Sequence, residues 1–497
     1  MSRRFATYRS RFSPTGLLIA LWVIAVQFRS LLIWFDWETV RFFVQPRPGR
    51  IRWLEVFYGG YIDLSDYGIR AASQTFRPLM ATMFHIEALI FGGQVWLWHS
   101  VNLAFHLACV FLLIRCARSL GLDAHASAIA GLLFGVHPLV TQPLWILLDR
   151  AEQAVLLTGL IVLLTHTRSL FVSSLALLAG LLSKETAVTI PVWIVLWDLL
   201  ESGFRRFRSW LVYGCLTAVY VGYRAWIFHG MGGYRSVEHF RVGDLAETIA
   251  QNLSWLLTVP HPFPGGVWIA AGLLVLALIP AMPRGYRFGV LWSALFLMPV
   301  HNLCNKWYLY TPVAGMSLAL ASLVAALYRR HPATGRIARG FALGLAILFS
   351  LQSIAELDHQ KRNADVPRQL AVAAQACVPD PKPDATFRFI LRIARDELPL
   401  RGHWFDPGSF QIKAQKSPLE SIVWDLNATR YLQSGRPVWT RSVEAALRYR
   451  YDSLRLTAVL VTDVEPGTRS DDSAIDLVYA SASPPLLERS SHAHHPD

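Results

Sequence analysis

Asp36 stands directly after the first long apolar segment of the chain, in an aromatic stretch that also contains Glu38. A carboxylate just outside a bilayer can act as a general base toward an incoming hydroxyl group. The alternative is a charged anchor at the interface, flanked by a belt of aromatic side chains. Asp63 and Asp66 lie farther along the same polar segment and are further candidates for a base.

Three basic residues stand within or beside apolar segments, where a charge must be paired or solvated. Arg77 can grip a phosphate with two parallel hydrogen bonds, or reach to lipid headgroups. Lys184 can neutralise a lipid phosphate, or pair with a carboxylate. Arg150 lies among acidic residues, which indicates a water-filled cavity or buried ion pairs. The acidic neighbours of Arg150 and Lys184 in sequence are Asp149, Glu152 and Glu185.

His99, Asn102 and His106 share one side of a helix, because spacings of three and four residues fall on one face. His137 follows in a His-Pro pair. Zinc binding by the first two histidines lacks a third ligand, and hydrogen bonding between helices is the alternative. The five cysteines show no spacing typical of zinc sites or disulfide frameworks, so no metal site is predicted.

These residues must be positioned by membrane helices. The chain has 497 residues, of which 53% are hydrophobic and 16% are charged, against roughly 25% charged in soluble domains. This excludes a disordered chain and an ordinary soluble enzyme. Segment 76–92 is interrupted by charges and is predicted to lie at the interface, and 249–260 to be re-entrant or interfacial. About eleven spans are predicted, at 15–35, 95–116, 124–138, 142–166, 169–183, 186–200, 209–228, 266–282, 287–303, 307–328 and 338–355.

The net charge of +13 reflects arginines in short loops between these spans, the pattern of the positive-inside rule. It therefore indicates membrane topology and not a nucleic-acid partner. The pattern predicts a multi-pass protein of the inner (plasma) membrane with its N-terminus in the cytoplasm. The loop 36–75 and the region after about residue 356 then face the extracytoplasmic (periplasmic) side.

The composition changes after the last predicted span. Residues 1–355 are predicted to form the transmembrane domain, 356–482 a small extracytoplasmic α/β domain and 483–497 a disordered tail. Within the α/β domain, residues 455–461 alternate as in a strand. Residues 385–397 and 443–450 are predicted to be helical.

The order of the polar motifs resembles the membrane half of the transmembrane and tetratricopeptide-repeat O-mannosyltransferases and their bacterial relatives. These belong to the GT-C class of glycosyltransferases. The resemblance covers about residues 14–330 and is strongest over 76–200, and no tetratricopeptide period is visible after it. After the acid that ends the first span, the motifs are Phe76-Arg77-Pro78-Leu79, His99-x-x-Asn102-x-x-x-His106, His137-Pro138, Asp149-Arg150-Ala151-Glu152, Ser183-Lys184-Glu185-Thr186 and Trp307-Tyr308-Leu309-Tyr310-Thr311-Pro312.

The resemblance implies an integral membrane glycosyltransferase that uses a polyprenyl-phosphate sugar as donor. It would transfer the monosaccharide, outside the cytoplasm, to a hydroxyl group of a protein, glycan or lipid. Asp36 falls on the first acid of the family's first outer loop and is implied as the base. No cofactor is implied, because basic side chains can neutralise the leaving phosphate. The implied donor-binding residues are Arg77, His99, Asn102, His106, His137, Arg150 and Lys184. The implied supporting residues are Glu38, Asp63, Asp66, Asp149, Glu152, Glu185 and Tyr308.

Four positions depart from the family pattern. Trp37 replaces the second acid of the first outer loop, and Gln142 stands where relatives often carry an acid. Lys306 and Trp307 replace residues of a late Arg-Tyr signature. These departures leave open a non-catalytic relative that acts as a membrane scaffold. A transporter of a lipid-linked glycan also remains, although no inverted hydropathy repeat is visible.

Overall fold

The computed structural model describes residues 14–34, 76–91, 94–201, 206–228, 242–258, 265–300 and 306–377, together with five strands between residues 388 and 489. The predicted base Asp36 and the residues Glu38, Asp63 and Asp66 lie outside the described residues.

The chain is a multi-pass helical membrane protein. Its helices are α1 Pro14–Gln27, α2 Pro78–Phe91, α3 Val95–Ser119, α4 Ala124–Gly135, α5 Gln142–Trp145, α6 Arg150–Thr165, α7 Leu170–Leu181, α8 Ile190–Glu201, α9 Phe207–Phe228, α10 Val242–Leu256, α11 Gly266–Leu278, α12 Arg284–Leu297, α13 Tyr310–Arg330 and α14 Pro332–Cys377. Short 3₁₀ turns follow α1 and α12 and precede α6, α8 and α13.

Five helical segments in the described part of the chain are long and apolar enough to cross a membrane. A sixth results if the bent pair Ala124–Gly135 and Pro138–Trp145, which turns by 56°, counts as one span. The predicted number of about eleven is therefore not reached by this test. The five segments are Pro14–Leu32, Val95–Ser119, Phe207–Phe228, Lys306–Arg330 and Pro332–Lys361.

The predicted span at 142–166 is broken in the structure. Pro143 lies in the four-residue helix α5, and the backbone at Ile146 is extended. The long helix α6 begins only at Arg150. The break has a local cause, since proline favours the first turn of a helix and α5 cannot continue through the extended residue. As a result, Asp149 and Arg150 stand at the start of α6 and not in the middle of a span.

Short turns with side-chain caps make antiparallel pairs of neighbouring helices. The Asp123 carboxylate accepts a hydrogen bond of 2.9 Å from the Ala126 backbone N–H and so caps α4. Gly121, with a φ of +83°, turns the chain between α3 and α4. Ser169 caps α7 in the same way. These turns place α4 beside α3 and α7 beside α6.

Small residues allow the closest helix contacts. A Cβ on Gly289 of α12 would collide with the Gly315 carbonyl oxygen of α13. A Cβ on Gly180 of α7 would lie 2.6 Å from the Thr158 hydroxyl oxygen of α6. The close approach of α6 and α7 brings the start of α6 toward the end of α7, where predicted site residues stand.

The region after α14 contains a five-stranded sheet with strand order β2-β3-β1-β4-β5. Strands β1 and β4 are parallel, and the other neighbouring pairs are antiparallel. The predicted strand at 455–461 corresponds to β3. The strands are β1 Arg388–Ala394, β2 Ala445–Asp452, β3 Arg455–Thr462, β4 Ala474–Ala480 and β5 Ser483–Arg489.

Three local predictions for this region differ from the structure. The segments 385–397 and 443–450, predicted as helices, contain β1 and β2 instead. In β2, Leu447 and Tyr449 alternate with Arg448 and Arg450, and this period of two together with aromatic residues favours a strand. Residues Ser483–Arg489 of the predicted disordered tail form the edge strand β5, a position that tolerates proline. The α/β domain itself stays a prediction.

Candidate functional site

Five charged residues from four separate parts of the chain meet in the structure, and we call them the Glu185 cluster. Arg77 immediately precedes α2, and Glu152 lies in the first turn of α6. Lys184 and Glu185 join α7 to α8, and Arg224 lies near the end of α9. The Leu79 backbone N–H donates a hydrogen bond of 3.0 Å to the Leu182 carbonyl, which holds the start of α2 against the end of α7.

Two guanidinium groups hold the Glu185 carboxylate. Arg77 donates to Oε2 from Nε at 3.3 Å and from Nη2 at 3.1 Å. Nη1 of Arg224 lies 3.2 Å from Oε1. Burial alone would raise the pKa of Glu185, but the positive charges of Arg77, Arg224 and Lys184 lower it to about 2. Glu185 is therefore an ionised carboxylate between two cations.

Lys184 is the third cation of the cluster and has its own counter-ion. Its Nζ lies 2.7 Å from Oε1 of Glu152, and both side chains are almost fully buried. The same Nζ lies 4.9 Å from the centre of the Tyr308 ring, within the range of a cation–π contact. The predicted residues Lys184, Glu152 and Tyr308 are therefore brought together.

The Glu185 cluster carries a net charge of +1, because three cations face two carboxylates. The side chains of Arg77 and Arg224 are 8% and 9% exposed, whereas that of Glu185 is 25% exposed. The cations are thus shielded from bulk water, and the anion is the most accessible member of the cluster. Cations in such surroundings attract anions more strongly than cations in water do.

Arg150, a predicted donor ligand, lies in a different environment. Its guanidinium donates to the Glu87 carboxylate, to the Asn102 side-chain oxygen and, at 3.2 Å, to the Trp98 carbonyl. It also lies 4.8 Å from the centre of the Phe84 ring. The side chain is 0% exposed. Arg150 therefore joins α2, α3 and α6 and presents no accessible face to a phosphate.

His99 and Asn102 of α3 bind backbone carbonyl groups. The two ring nitrogens of His99 lie 3.0 Å from the Ile33 oxygen and 3.1 Å from the Leu144 oxygen. The Asn102 amide donates to the Pro143 oxygen at 3.0 Å. Both side chains are buried. They fix the end of the α1 segment and the broken segment around α5 against α3, which agrees with the alternative of hydrogen bonding between elements.

His106 and His137 serve similar contacts. His106 lies 2.8 Å from the Tyr310 hydroxyl and 3.0 Å from the Gly135 carbonyl oxygen. His137 lies 3.2 Å from the Leu256 carbonyl oxygen. Throughout the described part of the chain, no three His, Cys, Asp or Glu side chains are grouped so that they could hold a metal ion.

Asp149 pairs with the residue that departs from the family pattern. The Gln142 amide donates a hydrogen bond of 3.3 Å to the Asp149 carboxylate, which is nearly buried. An acid at position 142 would place two carboxylates side by side. The glutamine instead supplies a neutral donor to the acid that remains.

A second polar cluster was missed in the sequence and is centred on Asp198 of α8. Its carboxylate accepts hydrogen bonds from Arg206 at 2.7 Å and from the Trp210 indole N–H at 2.9 Å. Nε2 of His166 lies 3.0 Å from the same carboxylate. His166 follows the end of α6, whereas Glu152 lies at its start, so the two clusters are separated by about 20 Å along the helix. We call this group the Asp198 cluster.

Sequence reasoning also missed Arg224, and a signal for it was present. Arg224 is a single charge near the end of the apolar segment Phe207–Phe228, and such residues mark functional or paired sites by default. The same signal applied to Asp198 in the apolar segment Ile190–Glu201. Neither position revealed its partners, because those stand on other helices.

No protein-family model matches the chain. Over 153 residues it is 31% identical to protein O-mannosyl-transferase Tmtc2 of Drosophila melanogaster, which covers 28% of this chain and 16% of that protein. It is 32% identical over 135 residues to protein O-mannosyl-transferase Tmtc1 of the same organism, with 26% and 16% covered. The human protein O-mannosyl-transferase TMTC1 is 26% identical over 187 residues, with 33% and 20% covered.

The resemblance seen in the order of the motifs is confirmed, since curated relatives of the chain are protein O-mannosyl-transferases of the TMTC group. The identity is low, and the matched region amounts to 20% or less of the length of each of these three relatives.

Proposed function

We propose that this protein is an integral membrane glycosyltransferase that moves a monosaccharide from a polyprenyl-phosphate sugar to a hydroxyl acceptor. The reaction takes place on the extracytoplasmic side, with the N-terminus in the cytoplasm and the region after α14 outside. The protein lies in the inner (plasma) membrane, whose lipids surround its helices. Because the relatives are named protein O-mannosyl-transferases, mannose is the first donor sugar to test and a protein the first acceptor.

The Glu185 cluster is the observation that carries this proposal. Arg77 and Glu185 are 108 residues apart in sequence, yet they form one ion pair that Arg224 completes. A cluster with surplus positive charge near the ends of three membrane helices suits the phosphate of an anionic lipid. In the proposed reaction these cations stabilise the charge that develops on the leaving phosphate.

Asp36 is the proposed general base. It takes the proton from the acceptor hydroxyl, whose oxygen forms a bond to the anomeric carbon of the sugar. The bond between that carbon and the phosphate oxygen breaks, and polyprenyl phosphate leaves with both electrons. The described residues nearest to Asp36 support this placement, because the Ile33 carbonyl contacts His99 and the Ile33 side chain is buried with Met80 and Phe84 of α2.

The reach of the chain from this anchor is short. Asp36 is three residues beyond Ile33, so it lies within about 11 Å of it even when the chain is extended. Arg77 immediately precedes α2, against which Ile33 packs. This arrangement supports the assignment of the base and the phosphate-binding cations to one site.

The test is sugar transfer in purified membranes with a panel of labelled polyprenyl-phosphate monosaccharides. Wild type should consume one donor, and Asp36→Asn should lower the rate by at least about 100-fold, because general-base catalysis supplies about that much. Glu247→Gln, at an exposed carboxylate on α10, is the matched control and should retain the wild-type rate.

Equal rates in wild type and Asp36→Asn would contradict the assignment of the base and direct attention to Asp63 and Asp66. Absence of any transfer by folded wild-type protein that binds the donor would favour the scaffold or the transporter.

A further inference from the structure

We propose that Glu185 is a built-in anion that occupies the Arg77–Arg224 pair until the phosphate of the lipid donor displaces it. Arg224 is then a donor-binding residue alongside Arg77. This inference rests on the proposed function for the identity of the incoming anion. It adds a role for an acidic residue within a phosphate site, and a third cation that sequence reasoning did not identify.

The geometry of the carboxylate resembles that of a bound phosphate. Each Glu185 oxygen is contacted by a different guanidinium group, Oε2 by Arg77 and Oε1 by Arg224. Phosphate offers more acceptor oxygens than a carboxylate and suits the planar fork of arginine equally well. A phosphate can therefore take over both contacts without a rearrangement of the two arginines.

Differences in exposure indicate which member moves. The Glu185 side chain is 25% exposed, about three times the value of either arginine. Glu185 begins a short 3₁₀ turn between α7 and α8, whereas Arg224 lies within the long helix α9. The carboxylate thus has a route to solvent, and the arginines are enclosed by their surroundings.

Lys184 keeps its own counter-ion during such an exchange. Its contact with Glu152 at 2.7 Å does not involve Glu185. When the Glu185 carboxylate moves away, only the two guanidinium groups lose a partner. Their two positive charges then face the phosphate alone.

The charges also account for release of the product. The donor phosphate is a diester with one negative charge, which replaces the single charge of Glu185. Transfer of the sugar turns it into a monoester, whose charge at pH 7 is about −1.5 to −2 and whose binding would otherwise be tighter. A carboxylate that returns to the arginines competes with this product and promotes its departure.

The experiment measures binding of a polyprenyl monophosphate to the full-length protein in detergent, with the matching uncharged polyprenol as the reference ligand. Glu185→Gln removes the competing charge and should lower the Kd for the phosphate by about tenfold. Arg224→Gln should raise that Kd by about tenfold or more. Neither variant should change the Kd of the polyprenol by more than about twofold.

Two matched controls stand outside the cluster. Glu247→Gln and Arg208→Gln change exposed residues of α10 and α9 and should leave both dissociation constants at the wild-type values. Glu185→Asp keeps the charge on a shorter side chain, so it preserves competition if the neutral variant folds poorly. Its phosphate Kd should remain within about threefold of the wild-type value.

Weaker phosphate binding by Glu185→Gln, parallel to that of Arg224→Gln, would overturn the proposal, since Glu185 would then position the arginines and not compete with the ligand. An unchanged Kd in Glu185→Gln would overturn it as well. Tighter binding in Glu185→Gln together with an absence of sugar transfer in wild type would support the anion exchange and contradict the glycosyltransferase function.

Discussion

The Glu185 and Asp198 clusters are built from similar groups at opposite ends of α6–α9, but they differ in which charge is buried. In the Asp198 cluster the carboxylate is 0% exposed and its partner Arg206 is 32% exposed. In the Glu185 cluster the carboxylate is 25% exposed and its two arginines are below 10%. One end of the helices encloses an anion, and the other encloses cations.

This difference separates a structural contact from a binding site. The Asp198 carboxylate is surrounded by His166, Arg206 and Trp210 from three helices or their ends, so its acceptors are used within the protein. Removal of an enclosed anion leaves buried donors without partners, whereas an accessible anion can be exchanged for another. The exposed fraction of each partner is therefore more informative than the presence of an ion pair.

The largest difference between the clusters should be seen when one arginine of each is replaced. Arg77→Gln should lower the rate of sugar transfer by about 100- to 1,000-fold, as the loss of a group that stabilises transition-state charge does. Arg206→Gln should leave the rate per folded molecule within about twofold, since Arg206 lies about 20 Å away along α6. Both rates are measured in membranes at saturating acceptor and normalised to folded protein.

Comparable losses of transfer in the two variants would break the comparison, because the Asp198 cluster would then take part in the reaction. Comparable retention of transfer would contradict the assignment of Arg77.

The second difference concerns stability. Asp198→Ala leaves the His166 ring and the Trp210 indole N–H without their acceptor, which should lower the free energy of unfolding by about 1–3 kcal/mol. The Tm in detergent should fall accordingly, while transfer per folded molecule at low temperature stays near the wild-type rate. Asp358→Ala removes a carboxylate that pairs with Arg29 and is 42% exposed, and it serves as the control with little change in Tm.

A Tm of Asp198→Ala equal to that of wild type would show that water replaces the carboxylate, and the cluster would not be the enclosed contact described here.

The two clusters also show how far the sequence alone could lead. Charged residues in apolar segments pointed correctly to Arg77, Lys184, Glu152 and Glu185 as members of a polar site. The same reasoning included Arg150, because several charges at the start of one helix indicate a cavity or buried pairs without distinguishing them. Only the positions of Glu87 and Asn102 decide for the buried pair.

The remaining features depend on contacts between distant parts of the chain. Arg224 meets Glu185 through the packing of α9 against neighbouring helices, which no sequence spacing encodes. The long apolar spans α3, α9 and α13 follow from their composition. The shorter helices do not, since Pro143 and the extended Ile146 divide one apolar segment into several pieces. In β2 the alternation of residues was present in the sequence but was read as a helix.

The smallest expected effect concerns pH, and it tests how firmly the anion of the Glu185 cluster is held. Its cationic neighbours lower the pKa of Glu185 to about 2, so the ion pairs are fully formed above the ordinary pKa of a glutamate and are lost only as the pH falls through about 2. Glu185 therefore stays ionised between pH 5 and pH 8, and acid in this range should not imitate Glu185→Gln. A polyprenyl phosphodiester is the suitable probe, because it keeps one negative charge throughout, whereas a monoester titrates near pH 6. Its Kd for wild type should change by less than about twofold across the range. The Kd of Glu185→Gln should be lower at every pH by the same factor. A wild-type Kd that falls about tenfold from pH 8 to pH 5 would mean that Glu185 takes up a proton there. The two arginines would then hold it too weakly to serve as the competing anion, and the contrast with the enclosed Asp198 would rest on exposure alone.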